Sequence, residues 1–410
     1  MIYKLKILFS DEKQAYNENK LKYFMSRIIL ALLCLISFTL PVLSSSALHN
    51  IPLFLTAGLS VLILTFLFMY QSIFVDRKIL AIVAFLFIVL LSSILNGTIK
   101  QITRTEFLLS IMFITFYEFI SIDEFKNKSI FAVYIGLFLF LIIFLAVYFK
   151  EIISLDVERL GGIFGNQNGI AQYLCFGYIL NLHFAFNKKY YLLLLPLPLF
   201  AILSALTGSK QVILIILLST IAFIIMFFGK KRWYWSLILI IVGVLFVFGT
   251  LQLKIFSTLR HRIIAMFQQL FNKGSNNSLD MSTIERYNMF FEGLYLFQFK
   301  PLFGWGANAF RYIGAYGVYS HSTISELLCN YGLFGFICFI LPVLFSAFST
   351  DSKNNDYKLK TMLIIYVIVL YFISVAINSK VYYLMLAIIC ACSCCNKNDS
   401  VSNKILYYKK

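Results

Sequence analysis

Four side chains in this sequence have the chemistry to act on a phosphate-bearing substrate: Arg159, Lys210, Arg286 and His321. A guanidinium holds phosphate oxygens through two parallel hydrogen bonds and does not lose its charge. Arg159 precedes the Gly- and Asn-rich turn 161–168, and Lys210 closes the turn TGSK. Turns of this kind expose backbone N–H groups to phosphate where they lead into a helix. A histidine, with an unperturbed pKa of about 6.5, can accept the proton of an attacking hydroxyl. Together these residue types suit the departure of a diphosphate from a sugar.

The stretch that carries Arg286 is predicted to be a helix followed by a loop. Ser282 and Glu285 have the spacing of a capping box, which predicts a helix with Arg286 in its first turn. The segment PLFGWG (301–306) then ends any regular element, because proline and glycine interrupt helices and strands. Arg286 is therefore expected near the start of a helix that leads into an irregular loop.

His321 is expected at the far end of the same loop. Thr323 and Glu326 form a second capping-box pattern at the start of a long apolar segment, so His321 would lie just before a helix. Glu326 is a rare carboxylate beside an apolar segment, and we expect it to support the histidine rather than to react. Asn168, in the turn that follows Arg159, is expected to have a similar supporting role.

Composition places these residues on a membrane protein. Hydrophobic residues make up 60% of the chain and charged residues 13%, in many separated apolar runs. This composition excludes an ordinary soluble domain and predicts an all-α, polytopic integral membrane protein. The net charge of +17 could indicate a nucleic-acid-binding protein, but most of the 35 Lys and Arg fall on one side of the predicted spans. The excess therefore reflects topology and contact with membrane lipids, and no nucleic-acid partner is expected.

About 12 transmembrane helices can be placed, and the alternation of basic loops puts both termini in the cytoplasm. Apolar runs define the spans: 24–44, 51–75, 79–95, 107–122, 129–149, 167–186, 190–206, 211–228, 233–251, 323–349, 361–377 and 381–395. The predicted domains are an N-terminal membrane domain (1–251), a large external catalytic loop with short helices (252–320), C-terminal spans (321–395) and a cytoplasmic tail (396–410).

The external loop 252–320 carries seven basic residues, although long loops are exempt from the positive-inside rule. They are Lys254, Arg260, Arg262, Lys273, Arg286, Lys300 and Arg311. So many external cations predict an anionic ligand. No spacing of His or Cys in the sequence indicates a metal site, so we expect neither a metal nor a cofactor.

Two other classes of protein fit parts of this pattern. A transporter also has about 12 spans with both ends inside, but the sequence contains no internal repeat and no matched pair of interrupted helices. A structural membrane subunit would leave the clustered external cations unexplained. The long basic loop between two spans favours an enzyme.

Five motifs, in this order, resemble the O-antigen ligase and polymerase superfamily. They are RLGGIFGNQN (159–168), TGSK (207–210), R-x-x-M-x-x-x-G from Arg286, PLFGWG (301–306) and H-S-x-x-x-E-L-x-x-x-Y-G from His321. The resemblance covers about residues 158–340. Members are bacterial membrane glycosyltransferases of the GT-C type that use undecaprenyl-diphosphate-linked glycans. The resemblance therefore implies a GT-C-like fold in the bacterial plasma membrane.

The resemblance also implies roles for the four side chains. Arg286 and Lys210 would bind the diphosphate, His321 would activate or position the acceptor hydroxyl, and Arg159 would line the path of the donor. The family usually has arginine where this chain has Lys210, and lysine keeps the charge but loses the fork.

Of the two reactions known in the family, we favour polymerisation of repeat units, because nothing in the loop marks a large fixed acceptor. The alternative is a ligase that transfers the glycan to a lipid A core. Flippase and chain-length regulator proteins are possible partners.

Overall fold

A computed structural model describes residues 2–43, 51–70, 75–102, 104–154, 159–187, 190–229, 233–271, 281–349 and 356–393. Within these ranges the chain consists of helices and the turns between them, with no β-strand. The predicted all-α class is confirmed. The predicted cytoplasmic tail, 396–410, lies outside the described residues.

Sixteen α-helices account for most of the described chain. They are α1 (Ile2–Val42), α2 (Ile51–Tyr70), α3 (Arg77–Leu95), α4 (Arg104–Ile120), α5 (Asp123–Val147), α6 (Phe149–Ser154), α7 (Gln167–Leu182), α8 (Pro196–Leu206), α9 (Lys210–Phe228), α10 (Trp233–Leu251), α11 (Ser257–Phe271), α12 (Met281–Phe299), α13 (Ala309–Ile313), α14 (Thr323–Ala347), α15 (Tyr357–Ile373) and α16 (Lys380–Ala391). The external loop predicted at 252–320 thus contains the three helices α11, α12 and α13.

Seven of the described helices are long and apolar enough to cross a membrane: Lys20–Val42 of α1, and α2, α3, α5, α9, α10 and α14. The other five predicted spans fall on α4, α7, α8, α15 and α16, which are between 11 and 17 residues long. A multi-pass membrane protein is therefore confirmed. The count of 12 spans, the GT-C-like fold and the side of each terminus stay predictions.

The first half of α14 lies in the middle of the helix bundle. This helix packs against α3, α12, α15 and α16. Although α16 is only 12 residues long, it is buried from Val381 to Ala391, and the ring of its Tyr382 stacks on Phe339 of α14 at a centroid distance of 5.1 Å. A helix buried on every side lies against protein rather than lipid, which explains how so short a segment can be part of the bundle.

Helix α14 is interrupted at Gly332, whose backbone has φ 66° and ψ −165°. A break in a buried helix leaves carbonyl and N–H groups that need partners from elsewhere. The loop 301–306 provides them. Four backbone hydrogen bonds join the two segments: Trp305 N to Cys329 O (3.0 Å), Gly306 N to Asn330 O (2.8 Å), Leu333 N to Pro301 O (2.8 Å) and Phe334 N to Leu302 O (3.2 Å).

Glycine is needed where this loop approaches the broken helix. Gly304 has φ 67°, and a Cβ there would overlap the backbone of Asn330. The prediction that PLFGWG ends a regular element is confirmed, since α12 ends at Phe299. The same residues also dock the loop 301–306, part of the predicted external loop, onto the helix bundle.

The topology predicts opposite exposure of two valines that are accessible in the fold. Val75, the last residue of the predicted span 51–75 and so at its predicted inner end, is 58% exposed, and Val318, in the predicted external loop, is 40% exposed. With Val75→Cys and Val318→Cys made singly, an impermeant thiol reagent added to intact spheroplasts should label only the second. The parent protein measures background labelling, and detergent-solubilised samples show that both sites can react. Labelling of Val75→Cys in intact spheroplasts would show that the predicted topology is reversed.

Candidate active site

A cavity of about 410 Å³ lies where α7, α9, α14 and α16 begin and α15 ends. Four of the predicted site residues line it: Arg286, His321, Glu326 and Asn168. Its other polar lining residues are Asn166, Gln172, Gln211, Asn308, Arg311, Tyr319, Ser374, Asn378 and Ser379. The fold therefore brings together side chains that come from six helices and the turns beside them.

Four helix N-termini contribute to this cavity. Each supplies a lining residue from its cap or first turn: Asn168 of α7, Gln211 of α9, Glu326 of α14 and Ser379, the cap of α16. A helix N-terminus presents unpaired N–H groups and about half a positive elementary charge. The backbone around the cavity therefore favours an anion, in addition to the charged side chains.

Arg286 reaches the cavity from α12, which packs closely against the start of α14. Ser325 Oγ donates a hydrogen bond to the carbonyl of Phe290 (3.1 Å), and Gly293 leaves no room for a Cβ against Ser325. The helix predicted from Ser282 is present, although it begins at Met281. This close packing of α12 on α14 fixes the position of Arg286 at the cavity.

Arg311 is a second guanidinium in the cavity wall, and no specific role was predicted for it. It lies on α13, next to Asn308, which has a left-handed backbone with φ 53°. Asn308 Nδ2 donates to the carbonyl of Gln101 (2.6 Å), and the N–H of Phe310 donates to Asn330 Oδ1 (2.9 Å). These bonds hold the short helix over the cavity, where the sequence showed only a Gly- and Tyr-rich run.

His321 also has a left-handed backbone, with φ 58°, and its ring lies 4.4 Å from that of Tyr319 between centroids. Asn308 and His321 are the two non-glycine residues with positive φ among the described residues, and both line the cavity. Such a conformation costs roughly 1–3 kcal/mol and persists only where the surroundings impose it. The backbone at His321 is therefore held in place rather than relaxed.

The predicted capping box at Thr323 and Glu326 is wrong in its contacts. Ser322 occupies the cap position of α14, and Thr323 Oγ1 instead donates to the carbonyl of Ser374 (2.5 Å). Glu326 Oε2 accepts a hydrogen bond from the N–H of Ser320 (2.7 Å), and its Oε1 accepts one from the side chain of Asn330 (3.1 Å). Through its bond to the N–H of Ser320, Glu326 fixes the residue that directly precedes His321.

The imidazole of His321 is neutral at physiological pH. Burial, and to a smaller degree the positive charge of Arg286, lower its pKa from 6.5 to about 4. Both causes act against the charged form. A neutral imidazole can accept a hydrogen bond from a hydroxyl, but a pKa this low makes it a weak base. An anion that pairs with Arg286 would offset the smaller of the two causes and so raise the pKa of the ring.

Arg159 and Lys210 are not among the residues that line the cavity. Arg159 Nε donates to the carbonyl of Thr207 (3.1 Å), and its Nη2 donates to Asn168 Oδ1 (3.5 Å). Lys210 is the first residue of α9, directly before the lining residue Gln211. Arg159 therefore supports the wall that Asn168 forms, and direct binding of a diphosphate by either cation stays a prediction.

The cavity combines two guanidinium groups, four helix N-termini and one neutral imidazole. Fixed positive groups of this kind stabilise negative charge that develops on a leaving group. In the part of the chain that the structure describes, no group of three or more His, Cys, Asp or Glu side chains has the arrangement of a metal site.

Residues 195–340 match the model of a family described as O-antigen ligase. The match runs from the start of α8 through most of α14, and it includes Lys210, Arg286, His321 and Glu326. It confirms the resemblance to the O-antigen ligase and polymerase superfamily. Arg159 and Asn168 lie before the matched segment. A comparison with curated proteins finds no match.

We expect Arg286→Ala and His321→Ala to remove glycan transfer while the protein still accumulates in the membrane. Loss of a fixed positive group at a leaving group typically costs about 100- to 1,000-fold in rate, and loss of a general base about 100- to 10,000-fold. Arg286→Lys should also be impaired, because lysine lacks the fork.

The matched control for these substitutions is Arg260→Ala. Arg260 is another cation of the external loop, bonded to Gln252 and absent from the cavity lining. Transfer rates and membrane levels are compared for all variants. Full activity of His321→Ala would remove its role as a base.

The low pKa of His321 predicts different acid limits for kcat/KM and kcat. The first reports the free enzyme, so its acid limb should lie near the pKa of about 4. A bound diphosphate adds negative charge beside the ring and favours the imidazolium, so the acid limb of kcat should lie at higher pH. Initial rates at low and saturating donor test this. If the acid limbs of kcat/KM and kcat both lie at the unperturbed pKa of about 6.5, this prediction is wrong.

Proposed function

We propose that this protein is a membrane glycosyltransferase that polymerises undecaprenyl-diphosphate-linked oligosaccharide repeat units into a surface polysaccharide, on the outer face of the plasma membrane. The observation that carries the proposal is the shared cavity of Arg286, Arg311 and His321 at a point where four helices begin. A diphosphate-linked sugar has the negative charge that such a cavity favours. The family match over residues 195–340 supports the same class of reaction.

The proposed reaction is a single inverting displacement. The acceptor hydroxyl oxygen attacks the anomeric carbon, the bond from that carbon to the diphosphate oxygen breaks, and its electron pair leaves with the lipid diphosphate. The two arginines and the helix N-termini stabilise the charge that accumulates on the leaving oxygen. His321 takes the hydroxyl proton and later releases it to solvent.

Substrate binding would itself activate the base. In the free protein the charge of Arg286 contributes to the low pKa of His321. Once the diphosphate pairs with Arg286, that contribution is offset and the imidazole becomes more basic. Proton transfer to His321 would therefore be coupled to occupation of the diphosphate site.

Transfer of the glycan to a lipid A core is the second candidate, and the description of the matching family as O-antigen ligase favours it. The donor and the chemistry at the cavity would be unchanged, and only the acceptor would differ. A flippase would be a partner of the polymerase, because the repeat unit must reach the outer face before it is joined. A chain-length regulator protein would be a second partner.

The test is purified protein given one substrate, a lipid-diphosphate-linked repeat unit, in the presence of a chelator. A polymerase uses this compound as both donor and acceptor, so a ladder of longer glycans is expected. A ligase would give no product until a lipid A core is added, and then a single shifted band. A transporter would form no covalent product in either case. Loss of the ladder on chelation would contradict the metal-independent mechanism.

A further inference from the structure

A second pocket lies beside the cavity, on the other face of α13. Asn308 and Arg311 line the first cavity, whereas Ala309, Tyr312 and Ile313 line the second. The short helix is therefore the partition between them. The second pocket has a volume of about 390 Å³, within the range of small-molecule sites. The end of α3 and the turn after it complete its wall, so both pockets lie at the same end of the bundle.

A positioned cation lies in this second pocket. The ammonium of Lys300 donates to Asn96 Oδ1 and lies 4.1 Å from the centroid of the Trp305 ring. Trp305 is itself fixed, because its Nε1 donates to the carbonyl of Leu296 (2.9 Å). No Asp or Glu is among the described residues that line the pocket. Lys300 therefore presents its remaining N–H groups to oxygen atoms of a ligand.

Other residues that line the pocket carry hydrogen-bond acceptors and an aromatic ring. Gln101 Oε1 and Thr98 Oγ1 are buried at the pocket and have no hydrogen-bond partner among the described residues. Buried acceptors without partners are costly unless a ligand supplies donors. The side chain of Tyr312 is 61% exposed, so its ring offers an open apolar face at the pocket edge. These features suit a ligand that has hydroxyl groups and an apolar C–H face.

We propose that the second pocket is a sugar-binding subsite, which holds a unit of the glycan away from the bond that is formed. Hydroxyl groups of the sugar donate to Gln101 and Thr98, its oxygens accept from Lys300, and its apolar face lies on Tyr312. The inference rests on the proposed function, since it assigns part of the same glycan substrate. Because α13 borders both pockets, a glycan whose reacting end occupies the cavity could pass over this short helix into the subsite.

Trp305 allows the subsite to be observed without any reaction. The chain has three tryptophans, and the other two, Trp233 and Trp235, line neither pocket. In full-length protein with Trp233→Phe and Trp235→Phe, the emission of Trp305 is titrated with a repeat-unit oligosaccharide released from its lipid diphosphate. A saturable change is expected. Tyr312→Ala and Gln101→Ala should each weaken this binding about tenfold, a loss in the range of one good contact.

Three controls make the outcome decisive. Tyr316→Ala removes a neighbouring tyrosine that lines neither pocket, and Arg286→Ala disables the first cavity; both should leave the titration unchanged. Inorganic diphosphate should not change the emission of Trp305. The subsite is overturned if the oligosaccharide gives no saturable change, if Tyr312→Ala binds as tightly as its parent, or if Arg286→Ala abolishes the signal. If the parent protein with Trp233→Phe and Trp235→Phe still forms products, any of these results would leave the proposed function intact. Normal oligosaccharide binding by a parent protein that forms no product would refute the proposed reaction and leave the subsite standing.

Discussion

The break in α14 at Gly332 is the constraint on which the rest of this structure depends. A buried helix cannot lose backbone hydrogen bonds without replacing them, and within a bilayer each missing partner costs several kcal/mol. The loop 301–306 replaces them with four backbone bonds. The loop 301–306, part of the predicted external loop, is therefore anchored to α14 by the need to satisfy every backbone hydrogen-bonding group within a bilayer. The glycines of the loop are needed because side chains would prevent so close an approach.

The position of His321 also depends on this break in α14. Asn330, whose carbonyl belongs to the break, also binds the start of α13 through its side-chain oxygen and Glu326 through its amide nitrogen. Glu326 in turn binds the backbone of Ser320, directly before His321. One continuous series of hydrogen bonds thus links the docked loop, the helix that carries Arg311 and the left-handed backbone of His321. Mutual satisfaction of buried polar groups explains how an irregular loop can hold a strained residue in one place.

Much of the helical framework could be predicted from the sequence, because apolar runs and basic loops depend on local composition. Every predicted span contains a helix. Arg286, His321, Glu326 and Asn168 line one cavity, whereas the predicted diphosphate ligands Arg159 and Lys210 do not line it, and the roles of all six residues stay predictions. The contacts of Glu326 could not be predicted, since a capping pattern does not reveal that a neighbouring turn offers a better donor. Arg311 was missed as a site residue for a related reason: its position depends on Asn330, which lies on another helix.

In the proposed function, the two pockets would divide recognition of a glycan donor into two physical tasks. The first cavity attracts negative charge through guanidinium groups and helix ends, which act on any diphosphate regardless of the sugar attached to it. The second offers directional acceptors, a single ammonium and a tyrosine ring, which depend on the shape and hydroxyl pattern of the sugar. Charge alone supplies affinity with little discrimination, whereas hydrogen bonds to buried acceptors reject ligands that leave them unpaired. Because Tyr312 and Ile313 line only the second pocket and Arg311 and Asn308 only the first, the proposed assignment implies that substitutions of Tyr312 or Ile313 would change sugar preference and leave the diphosphate site intact.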